Sequence, residues 1–315
     1  MSTRLAHWIL AISLASVAAP PSHARGLSFN TSYSDGDKRI ESCSDIEMRF
    51  WRDDWGRSDI VTARRSQTLS LGSNASKSLK VEGTNRGGVR VQPSTDGKLS
   101  ALICMAAGAT SDKAAEAILD RLSVVNEGGV LRVDGPEDDD DWAGMIVLSV
   151  PDGLTLDVSA TNGPLRVGDV DGRFTLRTTN GPIKVMNVGG VVDAQAQNGP
   201  IKFRGHSGDV SLVAENGPIS VELDAREWTG KRLEASTQNG PLKLNVPDDM
   251  KSGVEVTSSR WAPWSGAWRS GERPWGSRTY RIGDDQVRVR LSTVNGPVKI
   301  MGPQPAASKA RGVEI

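Results

Sequence analysis

The chain has 315 residues with 38 basic and 38 acidic side chains, so its formal net charge is zero. This balance argues against general nucleic-acid binding, which requires an excess of Lys and Arg. Glycine is abundant, aromatic residues other than Trp are few, and polar residues alternate with Val, Leu and Ile. That composition predicts an all-β protein with many turns.

Residues 1–24 have the features of a secretory signal peptide. Arg4 precedes an apolar run over residues 8–19, two prolines end the run, and Ser22-His23-Ala24 offers a small-x-small cleavage site. The run is too short to span a bilayer, although a retained single-pass anchor is the alternative. We therefore expect an exported protein, periplasmic or at the cell surface, with no transmembrane segment in the mature chain.

The two cysteines, Cys43 and Cys104, are predicted to form one disulfide in an oxidising compartment, with two buried free thiols as the alternative. Signal removal leaves His206 as the single histidine, so we expect no metal site and no cofactor.

Residues 25–124 are predicted to form a degenerate N-terminal β part with one helix. Ser111 can cap a helix that ends near Leu122, with apolar residues on one face at Ile118, Leu119 and Leu122. Two segments resemble the repeat described next, at Thr84 to Val91 and at Asn126 to Val133.

The tripeptide Asn-Gly-Pro occurs six times within residues 125–301, with copies that begin at Asn162, Asn180, Asn198, Asn216, Asn239 and Asn295. The first four copies are evenly spaced, 18 residues apart. Such a fixed period is typical of proteins built from stacked coils.

Apolar and polar residues alternate on both sides of each Asn-Gly-Pro, as in Leu165-Arg166-Val167 after the first copy. This alternation predicts two short half-buried strands per coil. The opposite turn contains glycine, as at Gly189-Gly190, to provide positive φ. We predict a β-solenoid whose asparagines stack about 4.8 Å apart and hydrogen-bond along the stack. The alternative is an antiparallel meander with Asn-Gly as its hairpin turn.

The tandem Asn-Gly-Pro-(Ile/Leu)-Lys-Val coils resemble the DUF4097 family of adhesin-like, exported bacterial β-strand-repeat proteins. Trp228-Thr229-Gly230-Lys231-Arg232-Leu233 and Cys104 followed by Ala106-Ala107 are further matching elements. Matching motifs are frequent over residues 125–301 and less frequent over residues 40–124. It implies a right-handed, single-stranded β-solenoid of the cell envelope with no established enzymatic activity, and it supplies no ligand residues.

A column of cations is the first candidate binding feature. The position three residues after each corner glycine holds Arg166, Lys184, Lys202, Ser220, Lys243 and Lys299. A row of such charges can attract an anionic polymer such as an acidic polysaccharide. The alternative is an ordinary solvated face on which Lys discourages sheet aggregation.

A Trp-rich insertion at about residues 250–284 is the second candidate. It contains Trp261, Trp264, Trp268 and Trp275 among arginines, prolines and glycines. Exposed Trp beside Arg is typical of binding surfaces for sugars or proteins. The alternative is a loop that folds back to cover the side or end of the solenoid.

Signals for catalysis are weak. The acid run at residues 137–141 resembles a solvated loop more than a Ca²⁺ site, and His206 lies in a glycine turn without nucleophile-elbow spacing. Residues 302–315 are expected to be a flexible tail. We therefore expect a structural or adhesin-like binding module for an envelope polysaccharide or other anionic polymer, and not an enzyme. A scaffold for an envelope protein partner is the alternative, and a polysaccharide-active enzyme is the third.

Overall fold

The computed structural model describes residues 28–33, 38–51, 60–72, 78–84, 86–136, 141–258, 264–266, 278–284 and 286–302. The expected signal peptide and most of the expected tail lie outside these residues. In the described chain no helix is both long enough and apolar enough to cross a membrane.

The N-terminal part contains nine strands, one α-helix and a 3-10 turn at Cys43–Asp45. The strands are β1 Ser28–Tyr33, β2 Ile46–Trp51, β3 Val61–Ser70, β4 Ser78–Glu82, β5 Val89–Pro93, β6 Ser100–Ala109, β7 Ser123–Glu127, β8 Val130–Asp134 and β9 Trp142–Val150. The helix α1 spans Asp112–Leu119, and the Ser111 hydroxyl accepts from the backbone N–H of Ala114 at 3.3 Å. The predicted helix and its cap are confirmed, although the helix ends three residues before Leu122.

The repeat part contributes fifteen strands. They are β10 Leu154–Ala160, β11 Leu165–Gly168, β12 Gly172–Thr178, β13 Ile183–Met186, β14 Gly190–Ala196, β15 Ile201–Gly205, β16 Asp209–Ala214, β17 Ile219–Leu223, β18 Arg232–Thr237, β19 Leu242–Asn245, β20 Gly253–Ser258, β21 Trp264–Gly266, β22 Arg278–Ile282, β23 Val287–Thr293 and β24 Val298–Met301. The all-β prediction with one short helix is thus confirmed for the described residues.

Two mixed sheets of 11 strands each hold nearly all of these strands, and β1 and β2 form a separate antiparallel pair. The first sheet has the order β22-β20-β23-β18-β16-β14-β12-β10-β4-β8-β7. The second sheet has the order β21-β24-β19-β17-β15-β13-β11-β5-β9-β6-β3. From β10 to β19 consecutive strands alternate between the sheets, so each coil contributes one strand to each; we call such a pair of strands a rung.

The repeat strands pair in parallel and in register with the coil before and the coil after. Leu156 lies opposite Phe174 in the first sheet, and Leu165 lies opposite Ile183 in the second. This parallel pairing excludes the antiparallel meander for the repeats. The inward side chains of both sheets form one continuous core that extends from Leu79 to Ile300.

Rungs at both ends of the stack depart from chain order. The β4–β5 rung lies between the β8–β9 rung and the β10–β11 rung. At the other end, β23 and β24 lie between the β18–β19 rung and the strands β20 and β21, which precede them in the chain.

Of the two repeat-like segments in the N-terminal part, one forms a coil corner and the other forms a hairpin. The segment at Gly87 and Gly88 does form a coil corner, because β4 and β5 on either side of it stack on β10 and β11. The same expectation for Asn126 to Val133 is wrong, since β7 and β8 form an antiparallel hairpin. Gly128 and Gly129 turn this hairpin with φ of 60° and 78°, which a two-residue loop favours.

A second, smaller core lies on the outer face of the second sheet. Ile46, Met48 and Phe50 of β2 are buried there against side chains that include Met145 and Val147 of β9. Cys43 and Cys104 form the expected disulfide, which joins this covering segment to β6. Residues 38–51 therefore shield one end of the second sheet from solvent.

Candidate functional site

The six Asn-Gly-Pro corners lie one above another, and their asparagine side chains form a single hydrogen-bonded ladder. From Asn180 onward, each Nδ2 group donates to the Oδ1 atom of the preceding corner asparagine, at 2.8 to 3.1 Å. The backbone N–H of Asn198 also donates to the carbonyl of Thr179 at 2.7 Å, and the bond recurs in the neighbouring coils. Because every amide of the ladder is engaged with another coil, the corner holds the register of the stack.

The corner glycines are required by close packing between coils. A Cβ atom on Gly181 would lie 2.2 Å from the carbonyl oxygen of Gly163, and one on Gly199 would lie 2.1 Å from that of Gly181. Positive φ occurs instead at opposite turns, where Gly190 has 87° and Gly208 has 111°. The two glycine positions of a coil therefore serve different physical purposes.

The cation column lies on the outer face of the second sheet. Successive parallel strands align, in this order, Arg166, Lys184, Lys202, Ser220, Lys243 and Lys299. Arg90 of β5 pairs with Arg166 and extends the column by one rung. Arg90 was not among the predicted cations, although Val89-Arg90-Val91 carries the same apolar–cation–apolar pattern.

The arginine end of the column is covered, so the expected exposure of Arg166 is not found. The relative exposure of Arg90 is 4 % and that of Arg166 is 9 %. Arg90 Nη2 donates to the carbonyl of Lys38, and the amide of Gln92 exchanges hydrogen bonds of 3.0 and 2.9 Å with the backbone of Ile40. The accessible part of the cation column therefore begins after β11.

The remaining cations form what we call the lysine row: Lys184, Lys202, Lys243 and Lys299. Lys184 is half-buried, whereas the other three are exposed. Neighbouring strands lie about 4.8 Å apart, and Ser220 separates Lys202 from Lys243 by one uncharged position. Parallel register thus concentrates positive charge along a line perpendicular to the strands.

The described strands of the Trp-rich insertion lie at the C-terminal end of the stack. In the first sheet β20 pairs with β23 and β22 pairs with β20, while in the second sheet β21 pairs with β24. Val254 and Val256 are fully buried, Tyr280 is 5 % exposed, and burial raises the pKa of the Tyr280 hydroxyl. Trp264 lies in β21, whereas Trp261, Trp268 and Trp275 lie outside the described residues.

The weaker candidates are dispersed. His206 Nδ1 lies 3.0 Å from Asp224 Oδ1, and the pair is at the surface. Residues 137–140 of the acid run lie outside the described residues. In the part of the chain that the structure describes, no group of three or more His, Cys, Asp or Glu side chains is placed to hold a metal ion.

The outer face of the first sheet carries two cavities that were not predicted from the sequence. One has a volume of about 640 Å³ and the other about 380 Å³, and Val213 lines both. The residues three positions before each corner asparagine run along them: Ser159, Arg177, Gln195, Val213, Ser236 and Ser292. Three of these six residues are serines and the other three differ, so the column carries no repeated charge that would have indicated the cavities.

Comparisons with known proteins reveal similarity in three-dimensional structure alone. No protein-family model matches the chain, and no curated protein matches its sequence. A candidate cell adhesion protein from Clostridium sporogenes aligns at 9 % identity over 76 % of this chain and 100 % of its own, with a TM-score of 0.33. A candidate adhesin from Bacteroides fragilis aligns at 14 % identity over 76 % and 97 %, with a TM-score of 0.36. A candidate lipid binding protein from Parabacteroides distasonis aligns at 11 % identity over 76 % and 96 %, with a TM-score of 0.34.

Proposed function

We propose that this chain is an exported, non-enzymatic β-solenoid that binds an anionic polymer of the cell envelope through its lysine row. The observation that carries the proposal is the parallel register of Lys184, Lys202, Lys243 and Lys299 on one face. The polymer would lie perpendicular to the strands, along the axis of the stack.

Two features support the solenoid part of the proposal. Consecutive repeat strands alternate between the two sheets, and each strand pairs in parallel with the strand one coil away. The asparagine ladder runs through all six corners, as identical residues do in a coil that repeats. The right-handed sense is part of the proposal and follows from the family resemblance.

Export is supported by the signal-like N-terminus and by the disulfide between Cys43 and Cys104. Disulfides persist in oxidising compartments such as the periplasm and the cell surface. Both compartments give access to acidic polysaccharides.

The electrostatic argument rests on the number of charges and not on any single one. One exposed ion pair contributes only about 0.2–1 kcal/mol, because water screens it and long side chains lose freedom. A polymer with a negative charge on each unit can engage several lysines at once, so the small contributions accumulate. The binding should weaken as salt rises, because three of the four lysines are exposed to solvent.

A charge-reversal pair tests this function. Lys184→Glu with Lys202→Glu should weaken binding to dextran sulfate and to lipopolysaccharide by at least tenfold in 50 mM salt. Lys113→Glu with Lys231→Glu is the matched control, since it makes the same change in net charge at exposed positions outside the row. Equal losses in both variants would show non-specific attraction, and unchanged binding in the first variant would refute the proposal.

The absence of catalysis is tested separately. The purified protein should release neither reducing ends nor unsaturated sugars from a broad panel of glycans. Release that disappears in a His206→Ala or Asp224→Asn variant would instead support an enzyme that uses the surface pair.

A further inference from the structure

The two cavities on the outer face of the first sheet share Val213 as a lining residue, and together we call them the groove. Their lining comes from eight neighbouring strands, in the order β20, β23, β18, β16, β14, β12, β10 and β4. With strands about 4.8 Å apart, seven spacings give a length of about 34 Å. Val213, which is 43 % exposed, lies where the cavities meet. A groove of this length and direction accommodates an extended polymer that crosses the strands.

Ion pairs within the sheet face neutralise most of the charge along this groove. Arg177 binds Asp157 at 2.9 Å, and Glu82 binds Lys80 at 2.6 Å, which raises the pKa of the Lys80 ammonium group.

The same holds in the second cavity. Glu234 is 3.2 Å from Arg232, and Glu255 forms ion pairs with both Arg281 and Arg290. Glu215, at the rim of the first cavity, is the remaining carboxylate of the lining. A charged polymer would have to compete with these existing pairs, so the groove offers it little net attraction.

The floor of the groove is rich in uncharged hydrogen-bonding groups. Hydroxyls of Ser159, Thr179, Ser236 and Ser292 and the amides of Gln195 and Gln197 line it. Hydroxyl and amide side chains both donate and accept, which matches a ligand whose own groups do the same. The exposed methyl groups of Val213 offer an apolar contact for the C–H face of a sugar ring.

A peptide is a poorer fit than a glycan. The eight strands are interior strands of the sheet, since even β20 and β4 have a paired neighbour on each side. Their backbone groups are therefore already engaged, and a peptide could not add itself as a further strand. Apart from Gly83, every lining residue presents a side chain.

We propose that this groove is a second binding site, for a neutral, hydroxyl-rich polysaccharide that lies extended along the stack. It lies on the sheet opposite the lysine row and does not depend on it. The two outer faces would thus select polymers of different charge. No aromatic side chain is among the residues that line the two cavities. Binding per sugar should accordingly be weak and should grow with chain length.

Calorimetric titration with neutral linear glucans of two to eight units tests the site. Affinity should rise at least tenfold from the shortest to the longest oligomer, because a longer chain occupies more rungs. A carboxymethylated glucan of the same length should bind no better than the neutral one. The absence of binding to every neutral glucan, or a preference for the carboxymethylated form, would overturn the proposal.

Two valine substitutions locate the site. Val213→Arg places a bulky cation at the junction of the cavities and should reduce affinity for the longest glucan at least tenfold. Val294→Arg is the matched control, since Val294 is 49 % exposed on the turn after β23 and lines neither cavity. It should change affinity less than twofold. Equal losses in both variants would contradict the assignment.

Two further measurements distinguish binding in the groove from misfolding of the variants and from binding at the lysine row. Both valine variants should keep the circular dichroism spectrum of the parent, because each replaced side chain faces solvent. Glucan should shift the backbone amide resonances of β12, β14 and β16, and the shifts should survive in the Lys184→Glu, Lys202→Glu variant. Shifts confined to the second sheet would refute the groove while leaving the lysine row unaffected.

Discussion

The side-chain amide of Asn198 donates to the side-chain oxygen of Asn180 at 3.0 Å, across one complete coil of the chain. Asn198 in turn accepts from Asn216 at 3.1 Å, so it takes part in two ladder bonds. Asn295, in the last coil, has one ladder bond, to Asn239 at 3.0 Å. The position of an asparagine in the ladder therefore sets how many bonds its loss removes.

We expect Asn198→Ala to lower the free energy of unfolding by about 1–2 kcal/mol, since a hydrogen bond contributes about 0.5–1.5 kcal/mol and these are exposed. Asn295→Ala should have about half that effect. Urea denaturation monitored by circular dichroism measures both. Equal effects at the two positions would show that the ladder does not act through its bonds.

The corner glycine should tolerate no side chain. Gly199→Ala places a Cβ atom 2.1 Å from the carbonyl oxygen of Gly181, and relieving that clash must move the backbone of two coils. We expect a loss of about 3 kcal/mol or more, the upper range for overpacking. Gly168→Ala is the control, because its nearest contact would be 3.7 Å away and its φ is not positive. Thermal unfolding of the two variants should differ clearly, and similar melting temperatures would contradict the close-packing explanation.

The disulfide should stabilise the covering segment 38–51. It closes a loop between positions 61 residues apart, for which chain entropy suggests about 4 kcal/mol. Cys43→Ala with Cys104→Ala should lower stability by a comparable amount and speed hydrogen exchange in β2, while exchange in β12 to β16 stays slow. Hydrogen exchange followed by mass spectrometry tests this, and uniform acceleration over the whole chain would argue against a local role.

The insertion strands should protect the C-terminal end from self-association. Deleting residues 248–285 leaves three residues between β19 and β23, the same number that joins β13 to β14. The deletion exposes the edges of β23 and β24, and free parallel edges favour pairing with another chain. We expect dimers or larger species that increase with concentration in size-exclusion chromatography with light scattering. A folded variant that stays monomeric at every concentration would show that the edges need no cover.

Local features of the fold could be predicted from the sequence because they depend on neighbouring residues. The strands around each Asn-Gly-Pro, their inward columns and the Ser111 cap follow from alternation and capping. The hairpin at residues 126–133 was not predicted, because the decisive feature is the positive φ of two successive glycines. Its residues otherwise match the coil corner.

Features that depend on distant segments could not be predicted. The burial of Arg90 involves the non-repetitive segment 38–51, whose Lys38 carbonyl accepts a hydrogen bond from it, and no pattern in residues 38–51 indicates that contact. The groove depends on the outward residues of eight strands, and the strand order that brings them together is not the chain order. Repeat periodicity describes the middle of the stack and says nothing about how its ends are closed.

The exchanged order of the end rungs has a consequence for how the chain folds. In the chain, β4 and β5 precede the β8–β9 rung, which lies farther from the middle of the stack. Likewise, β20 precedes β23, which lies nearer the middle. The rungs therefore cannot be added one after another in chain order from one end of the stack to the other. The rungs from β10 to β19 are in chain order and contact one another locally, so we expect the earliest stable nucleus there, with both ends annealing afterwards.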